Sequence, residues 1–328
     1  MNRNSLPKSS RETPCDLCSG TEFELVGKYD RKRRLLNTVI CERCGLVSHE
    51  RIPSDEELDI YYEIQYRHEY NGEYTPSAHR VLRAWEGGQG LVARLKRFLT
   101  ADASVFEVGA GIGCTVKSFE KAGFNASGIE PGEGFHAYAS NEIQANVQRA
   151  TLDQVKPVGN HDLVVLSHVI EHFNSPRKSI QQIRQLLKNT GKLYVECPNI
   201  AAPHAAPRKL FHYAHIYNFT VPTLQMLIES CGFELTQAFT KPDDRTHSLL
   251  FSATAPRELE IIPNSYPTSL DGIFKYNTLT YHLRPAYLKD KFRRDTRFVS
   301  NHILPAFRLR NIFSASNTPS AGGSRKAA

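Results

Sequence analysis

The run Val105-Phe-Glu-Val-Gly-Ala-Gly-Ile-Gly113, followed by Gly128-Ile-Glu-Pro131, sets a parallel α/β architecture. An apolar strand ends on an acid and opens into three alternating glycines, and a second strand ends on another acid. Glycines let backbone approach a ligand closely, and the second acid can accept hydrogen bonds from ribose hydroxyls. The layout suits a nucleoside cofactor held at the carboxyl edge of a parallel sheet.

The alternation continues outward from this run. Strands are predicted at Ser104–Val108, Ala126–Glu130, Asn146–Arg149, Asp162–Ser167 and Lys192–Cys197. The helix between the first two places Val116 and Phe119 on one face and stops at Gly123. Ile180, Ile183, Leu186 and Leu187 mark a helix begun by Ser175-Pro176 and closed near Gly191. Thr220 caps a further helix that stops at Gly232, and Phe233–Thr240 and Ser248–Thr254 read as a final strand pair. Five strands separated by helices, then a helix and two strands, predict a doubly wound, seven-stranded α/β sheet.

At 328 residues and 40% hydrophobic content, the chain can bury a sizeable core. It shows no run approaching the ~20 apolar residues of a spanning helix and no apolar signal-peptide core, so a cytoplasmic location with reduced thiols is expected. The net charge of +7 is uneven. Arg31-Lys-Arg-Arg34 is one basic cluster; from Arg284 to Arg310, eight Arg or Lys stand against two Asp. Acidic partners or a solvated surface both fit such segments. The organisation expected is a disordered leader (1–12), a cysteine unit (13–48), a Tyr-rich bridge (49–90), the α/β domain (91–256), a basic C-terminal extension (257–315) and a disordered tail (316–328).

Cys15-x-x-Cys18 and Cys41-x-x-Cys44 are two metal half-sites separated by twenty-two residues. Two such knuckles bring four thiolates around a zinc ion, with Phe23–Tyr29 and Leu35–Ile40 as the hairpin between them. Four sulfurs fill the coordination sphere, so this zinc is structural. Cys114, Cys197 and Cys231 read as interior residues.

Glu107 to Gly113, Glu130, His161-Asp-Leu-Val-Val-Leu-Ser-His-Val-Ile-Glu-His172 and Gly191-Lys-Leu-Tyr-Val-Glu-Cys-Pro-Asn199 resemble class I S-adenosylmethionine-dependent methyltransferases over roughly residues 91–256. The resemblance implies a Rossmann-like seven-stranded methyltransferase sheet. It implies that Glu107, Gly109, Gly111 and Gly113 line the methionine portion of the cofactor, and that Glu130 holds the ribose. Leu152 would lie beside adenine, and Ser167 and His168 would border the reacting methyl. His168-x-x-Glu171-His172 also matches an inverted zinc-protease motif, but it follows an apolar strand instead of lying on a helix face. Glu171 is expected to fix the loop at the floor of the active site.

The two cysteine pairs, Pro53-Ser-Asp-Glu-Glu-Leu58, Tyr61-Tyr62 and Tyr66 are similar to a narrower group, zinc-containing methyltransferases of sugar, glycan and natural-product assembly. That implies a small-molecule or glycan acceptor, nucleotide- or lipid-linked. Methyl transfer from a sulfonium needs alignment and a proton acceptor, and histidine suits that task near neutral pH. In Phe211-His-Tyr-Ala-His-Ile-Tyr-Asn-Phe219, His215 is the first candidate and His212 the second, followed by His168 and His172. Tyr62, Tyr66 and Tyr70 are candidates to hold a sugar. The alternatives are RNA methylation, with Arg31–Arg34 gripping phosphates, and a non-catalytic interaction module. The basic, aromatic C-terminal segment, with Tyr287, Phe292, Phe298 and Phe307, is a candidate for peripheral contact with an anionic membrane.

Overall fold

A computed structural model of the chain describes residues 6–61, 76–202, 205–241, 244–285, 287–289 and 291. These fall into two compact units, one drawn from Met1–Ile60 and Lys156–Phe292, the other from Tyr61–Val155.

A seven-stranded mixed sheet is built from β4 (Ser104–Val108), β5 (Asn125–Ile129), β6 (Val147–Gln148), β7 (His161–Ser167), β8 (Leu187–Pro198), β10 (Phe233–Ala238) and β11 (Thr246–Ala253), in the order β10-β11-β8-β7-β4-β5-β6. The pairs β4/β5, β5/β6 and β7/β8 are parallel, while β11 runs antiparallel to β8 and β10. This is the seven-stranded α/β sheet that the alternating pattern predicts, in the Rossmann-like form that the resemblance implies. Leu163, Val164, Val165 and Leu166 in β7 are all buried, as are Leu193, Tyr194 and Val195 in β8. A continuous apolar run of this kind belongs to a parallel strand covered on both faces, and each such side chain contributes about 1.5–3 kcal/mol.

Helix ends follow local chemistry. Ser175 accepts from Lys178 N–H at 3.4 Å and opens Pro176–Leu186. Thr220 accepts from Thr223 N–H at 3.3 Å and opens Val221–Ser230. One expectation is corrected. The first of these helices ends at Leu186, not near Gly191, because Leu187 already has extended backbone and starts β8. Gly191 lies inside the strand, where a Cβ would come within 2.9 Å of the Leu187 side chain and 3.0 Å of the His161 carbonyl.

In the first unit a second sheet, wholly antiparallel, has the order β1 (Phe23–Tyr29), β2 (Leu35–Cys41), β3 (Val47–His49), β9 (Tyr217–Asn218). Asp30 closes the β1–β2 turn by accepting from Lys32 N–H at 2.8 Å, Arg34 N–H at 2.9 Å and the Arg34 guanidinium at 2.8 Å. Burial opposes its charge, yet these donors outweigh it and hold the carboxyl below its ordinary pKa. Val26, Ile40 and Val47 pack into one cluster with Ile200, Phe211, Leu270 and Ile273. The last two belong to a helix at Ser265–Phe274 in the C-terminal extension. Gly45 is required where this helix crosses, since its φ is +75° and a Cβ would sit 2.6 Å from the Tyr266 Cα. Tyr62, Tyr66, Tyr70, Phe292, Phe298 and Phe307 lie outside the described residues. Among the described residues no helix is long and apolar enough to cross a membrane.

Candidate functional site

Three groups of residues carry chemistry. The first is the cysteine cluster. The 15–18 knuckle turns back on itself through Ser19 N–H to Cys15 O at 2.8 Å, and the second through Gly45 N–H to Cys41 O at 2.8 Å. Cys15 and Cys44 Sγ are 3.6 Å apart, Cys18 and Cys41 Sγ 3.5 Å apart, and all four are buried. Sulfurs at 2.3 Å from a tetrahedral zinc ion are separated by about 3.8 Å. The donor set and its spacing are therefore compatible with structural zinc, with no position left for a substrate. Asp16, inside the first knuckle, accepts from the Ser175 hydroxyl at 2.7 Å and Arg177 N–H at 2.8 Å, while Arg177 Nε donates to the Asp16 carbonyl at 2.9 Å. The cysteine unit is thus clamped to the segment just after residues 168–172.

The second group is the glycine loop of the other unit. Gly109, Gly111 and Gly113 have φ of 71°, 54° and 76°, a left-handed path that side chains resist. At Gly113 a Cβ would also meet the Ala145 Cβ at 2.8 Å. The loop folds over Glu130, whose carboxylate accepts from Gly111 N–H and Gly132 N–H, each at 2.8 Å. Each oxygen retains a lone pair for a further donor. Glu107 is buried near the end of β4, and among the described residues its Oε2 has no hydrogen-bond partner. Burial pushes its pKa up to about 8; Glu130 adds to this, and donors from Thr115 and Val116 oppose it. Burial raises Glu130 too, against the Gly132 and Gly111 N–H groups. A desolvated carboxylate beside one that can still accept further donors suits a ligand with an ammonium and vicinal hydroxyls, which S-adenosylmethionine has. Leu152 is buried in a short turn, Leu152–Gln154, capped by Thr151.

The third group is a histidine–carboxylate cluster in the first unit. His168 follows Ser167 at the end of β7 with a left-handed φ of 57°. Its Nδ1 is 3.5 Å from Glu171 Oε1 and its Nε2 is 3.6 Å from Glu196 Oε1. Glu196 also accepts from the Tyr194 hydroxyl at 2.7 Å and the Ser248 hydroxyl at 3.3 Å. His172 Nδ1 donates to the Ala214 carbonyl at 2.6 Å, and its Nε2 lies 3.9 Å from Glu171 Oε1. Burial lowers the His172 pKa, against the attraction of Glu171. His215 stands edge-on to His172 with ring centroids 5.1 Å apart. His212 is held differently. Its Nδ1 accepts from Ala214 N–H at 3.2 Å and its carbonyl meets His49 Nε2 at 3.3 Å. Burial lowers the His49 pKa to about 4, so this ring stays neutral and supports the loop.

Ser167, His168, His172 and His215 thus share one unit with the zinc ligands, while Glu107, the glycines, Glu130 and Leu152 share the other. Sequence reasoning missed Glu196 and His49. Glu196 had a usable signal, because it lies two residues from Tyr194 on one face of a strand.

Residues 78–238 match a family described as a methyltransferase domain. Just under half of the chain is thus matched by a methyltransferase domain. A search of curated proteins gave no significant match. Among solved structures, magnesium protoporphyrin IX methyltransferase from Synechocystis PCC 6803 is 16% identical, with a TM-score of 0.47 over 61% of this chain and 100% of that one. An S-adenosylmethionine-dependent methyltransferase from Mesorhizobium loti is 16% identical, with a TM-score of 0.42 over 51% of this chain and 99% of that one. Another from Archaeoglobus fulgidus is 18% identical, with a TM-score of 0.39 over 50% and 94%.

Proposed function

We propose that the protein methylates a sugar, glycan or related small-molecule intermediate, nucleotide- or lipid-linked, in the cytoplasm. The observation that carries the acceptor side is the histidine–carboxylate cluster, whose alternating bases and acids suit a small polyhydroxylated molecule. The glycine loop, Glu107, Glu130 and Leu152 hold S-adenosylmethionine in this reading, and zinc sits on Cys15, Cys18, Cys41 and Cys44.

S-Adenosylmethionine, held by Glu107, the glycine loop and Glu130, would supply an electrophilic methyl group, and a histidine would take the proton that the acceptor gives up. His168 suits the base best among His168, His172 and His215. It is half exposed, and each ring nitrogen faces a carboxylate. The RNA reading is weakened at the hairpin tip, where the Arg34 guanidinium is committed to Asp30.

Calorimetric titration of the zinc-replete protein with S-adenosylhomocysteine, alone and with nucleotide sugars, tests this. Binding lost on Glu130→Ala and tightened by one nucleotide sugar supports the proposal. Salt-sensitive RNA binding abolished by charge reversal at Arg31–Arg34 would replace it with the RNA reading. Absence of cofactor-product binding would leave an interaction module.

A further inference from the structure

Glu171 is the anomaly of the first unit. It is 2% exposed, and among the described residues neither carboxyl oxygen has a hydrogen-bond partner. Leaving such a group unsatisfied costs the full desolvation penalty of a charged group. The methyl-transfer scheme gives Glu171 only the neighbourhood of His168, at a distance too long for a hydrogen bond. Three elements nevertheless converge on it. The turn Ile170–His172 brings its own second histidine, the end of β7 brings His168, and the loop before β9 brings His215.

We propose that Glu171, His172 and His215 form a divalent-cation site of the two-histidine, one-carboxylate kind. One ligand atom from each lies within 4.8 Å of the others. Ligands about 2.1 Å from an ion stand roughly 3–4 Å apart, so small rotations of the imidazoles close the set. His172 is already oriented as a ligand. Donation of Nδ1–H to the Ala214 carbonyl at 2.6 Å fixes its tautomer and leaves the unprotonated Nε2 3.9 Å from Glu171 Oε1. A backbone carbonyl is a usual acceptor for the other ring N–H of a metal-bound histidine. The same Ala214 sits next to His215, so one loop supplies both a ligand and the anchor of another. His49, reaching the His212 carbonyl from β3, braces that loop.

Mixed nitrogen and oxygen donors favour Mn2+, Fe2+, Co2+ or Zn2+ over Ca2+, whereas the four thiolates select zinc. Three protein ligands leave coordination positions open for two oxygens of an acceptor. His168 then remains beside the ion as the proton acceptor. This role towards the acceptor rests on the proposed methylation; the cation site itself does not. The inverted zinc-protease spacing finds an account here as well. Its Glu and second His are ligands, and the third ligand is His215.

Mn2+ titrated into the zinc-replete full chain and followed by electron paramagnetic resonance tests the site directly. One equivalent of the free six-line signal should be lost per chain. Glu171→Gln and His215→Ala should each weaken binding at least ~10-fold, since even outer-shell changes cost 10–100-fold. No uptake by the wild type, or equal uptake by folded variants, overturns the proposal. If Glu171→Gln does not melt cooperatively, the partly exposed His215→Ala decides. Binding of S-adenosylhomocysteine without Mn2+ uptake would retain the methyltransferase and remove the cation site; the converse would do the opposite.

Discussion

Glu130 and Glu171 are both buried carboxylates just past the end of a parallel strand, yet their surroundings are opposite. Glu130 is filled by two backbone donors at 2.8 Å, supplied by glycines whose backbones bend towards it. Among the described residues Glu171 has no hydrogen-bond donor, only imidazole nitrogens at 3.5 and 3.9 Å. The first acid is finished by the fold and ready for a neutral donor such as a hydroxyl. The second awaits positive charge. The backbone decides between them, because an N–H cradle suits an anion and a ring of histidines suits a cation.

The largest expected effect separates the two regions outright. Structural zinc is worth on the order of 10 kcal/mol in small zinc-folded units. Removing it should unravel the knuckles and, through Asp16, Ser175 and Arg177, loosen the segment around Glu171. Hydrogen exchange after chelation should show protection lost at 13–20, 41–49 and 168–177 and kept at 105–113 and 128–132. Equal loss in both regions would mean that zinc supports the whole chain.

A pH effect of a definite sign should mark the Glu130 side. The folded Glu107 carboxyl is raised to about 8 from an ordinary 4.5, chiefly by burial. The folded chain therefore holds this proton more tightly than the unfolded one. Its contribution is full below pH 4.5 and is lost as pH rises through about 8. Stability of the cofactor-free protein should fall across that window by up to about 1.4 kcal/mol per pH unit relative to Glu107→Gln. Parallel denaturant curves for the two proteins at each pH would contradict this.

Glu130→Ala comes next. It removes the acceptor proposed for ribose and strands the Gly111 and Gly132 N–H groups. S-Adenosylhomocysteine affinity should drop about 100-fold, or ~3 kcal/mol, with zinc content unchanged. Calorimetry and metal analysis on one sample check both halves.

The Glu130 side was readable in the sequence because its parts are contiguous. Strand, acid, glycines, strand and acid follow in order, and each residue type has a local reason. The hairpin of the cysteine unit was readable for the same reason. The Glu171 side was not, although His168, Glu171 and His172 stand within five residues. Its meaning depends on His215, brought in by a returning loop, and on Glu196 from the next strand. No periodicity records that encounter. The end of the helix at Leu186 was missed because Leu187 continues its apolar face while its backbone has already turned extended. The Ser265–Phe274 helix lies in the basic C-terminal extension, where aromatics, prolines and Arg follow no clean period. Its place on the cysteine sheet is fixed by Gly45, a glycine that also serves a zinc knuckle.

The smallest expected effect is the one that bears most directly on Glu171. Replacing a buried polar group that has no partner by an apolar one of similar size removes a desolvation cost without removing a bond. Glu171→Met should therefore stabilise the protein, assayed without added divalent cation, by about 1–2 kcal/mol. The corresponding Glu130→Met should destabilise it, since two N–H donors lose their acceptor. Chemical denaturation of the two variants at one pH gives the comparison with opposite signs. Destabilisation by Glu171→Met would show that the carboxyl already supports its surroundings, and the contrast between the two acids would collapse. Stabilisation with Mn2+ uptake abolished would show an acid that the fold keeps at a cost, for an ion to offset.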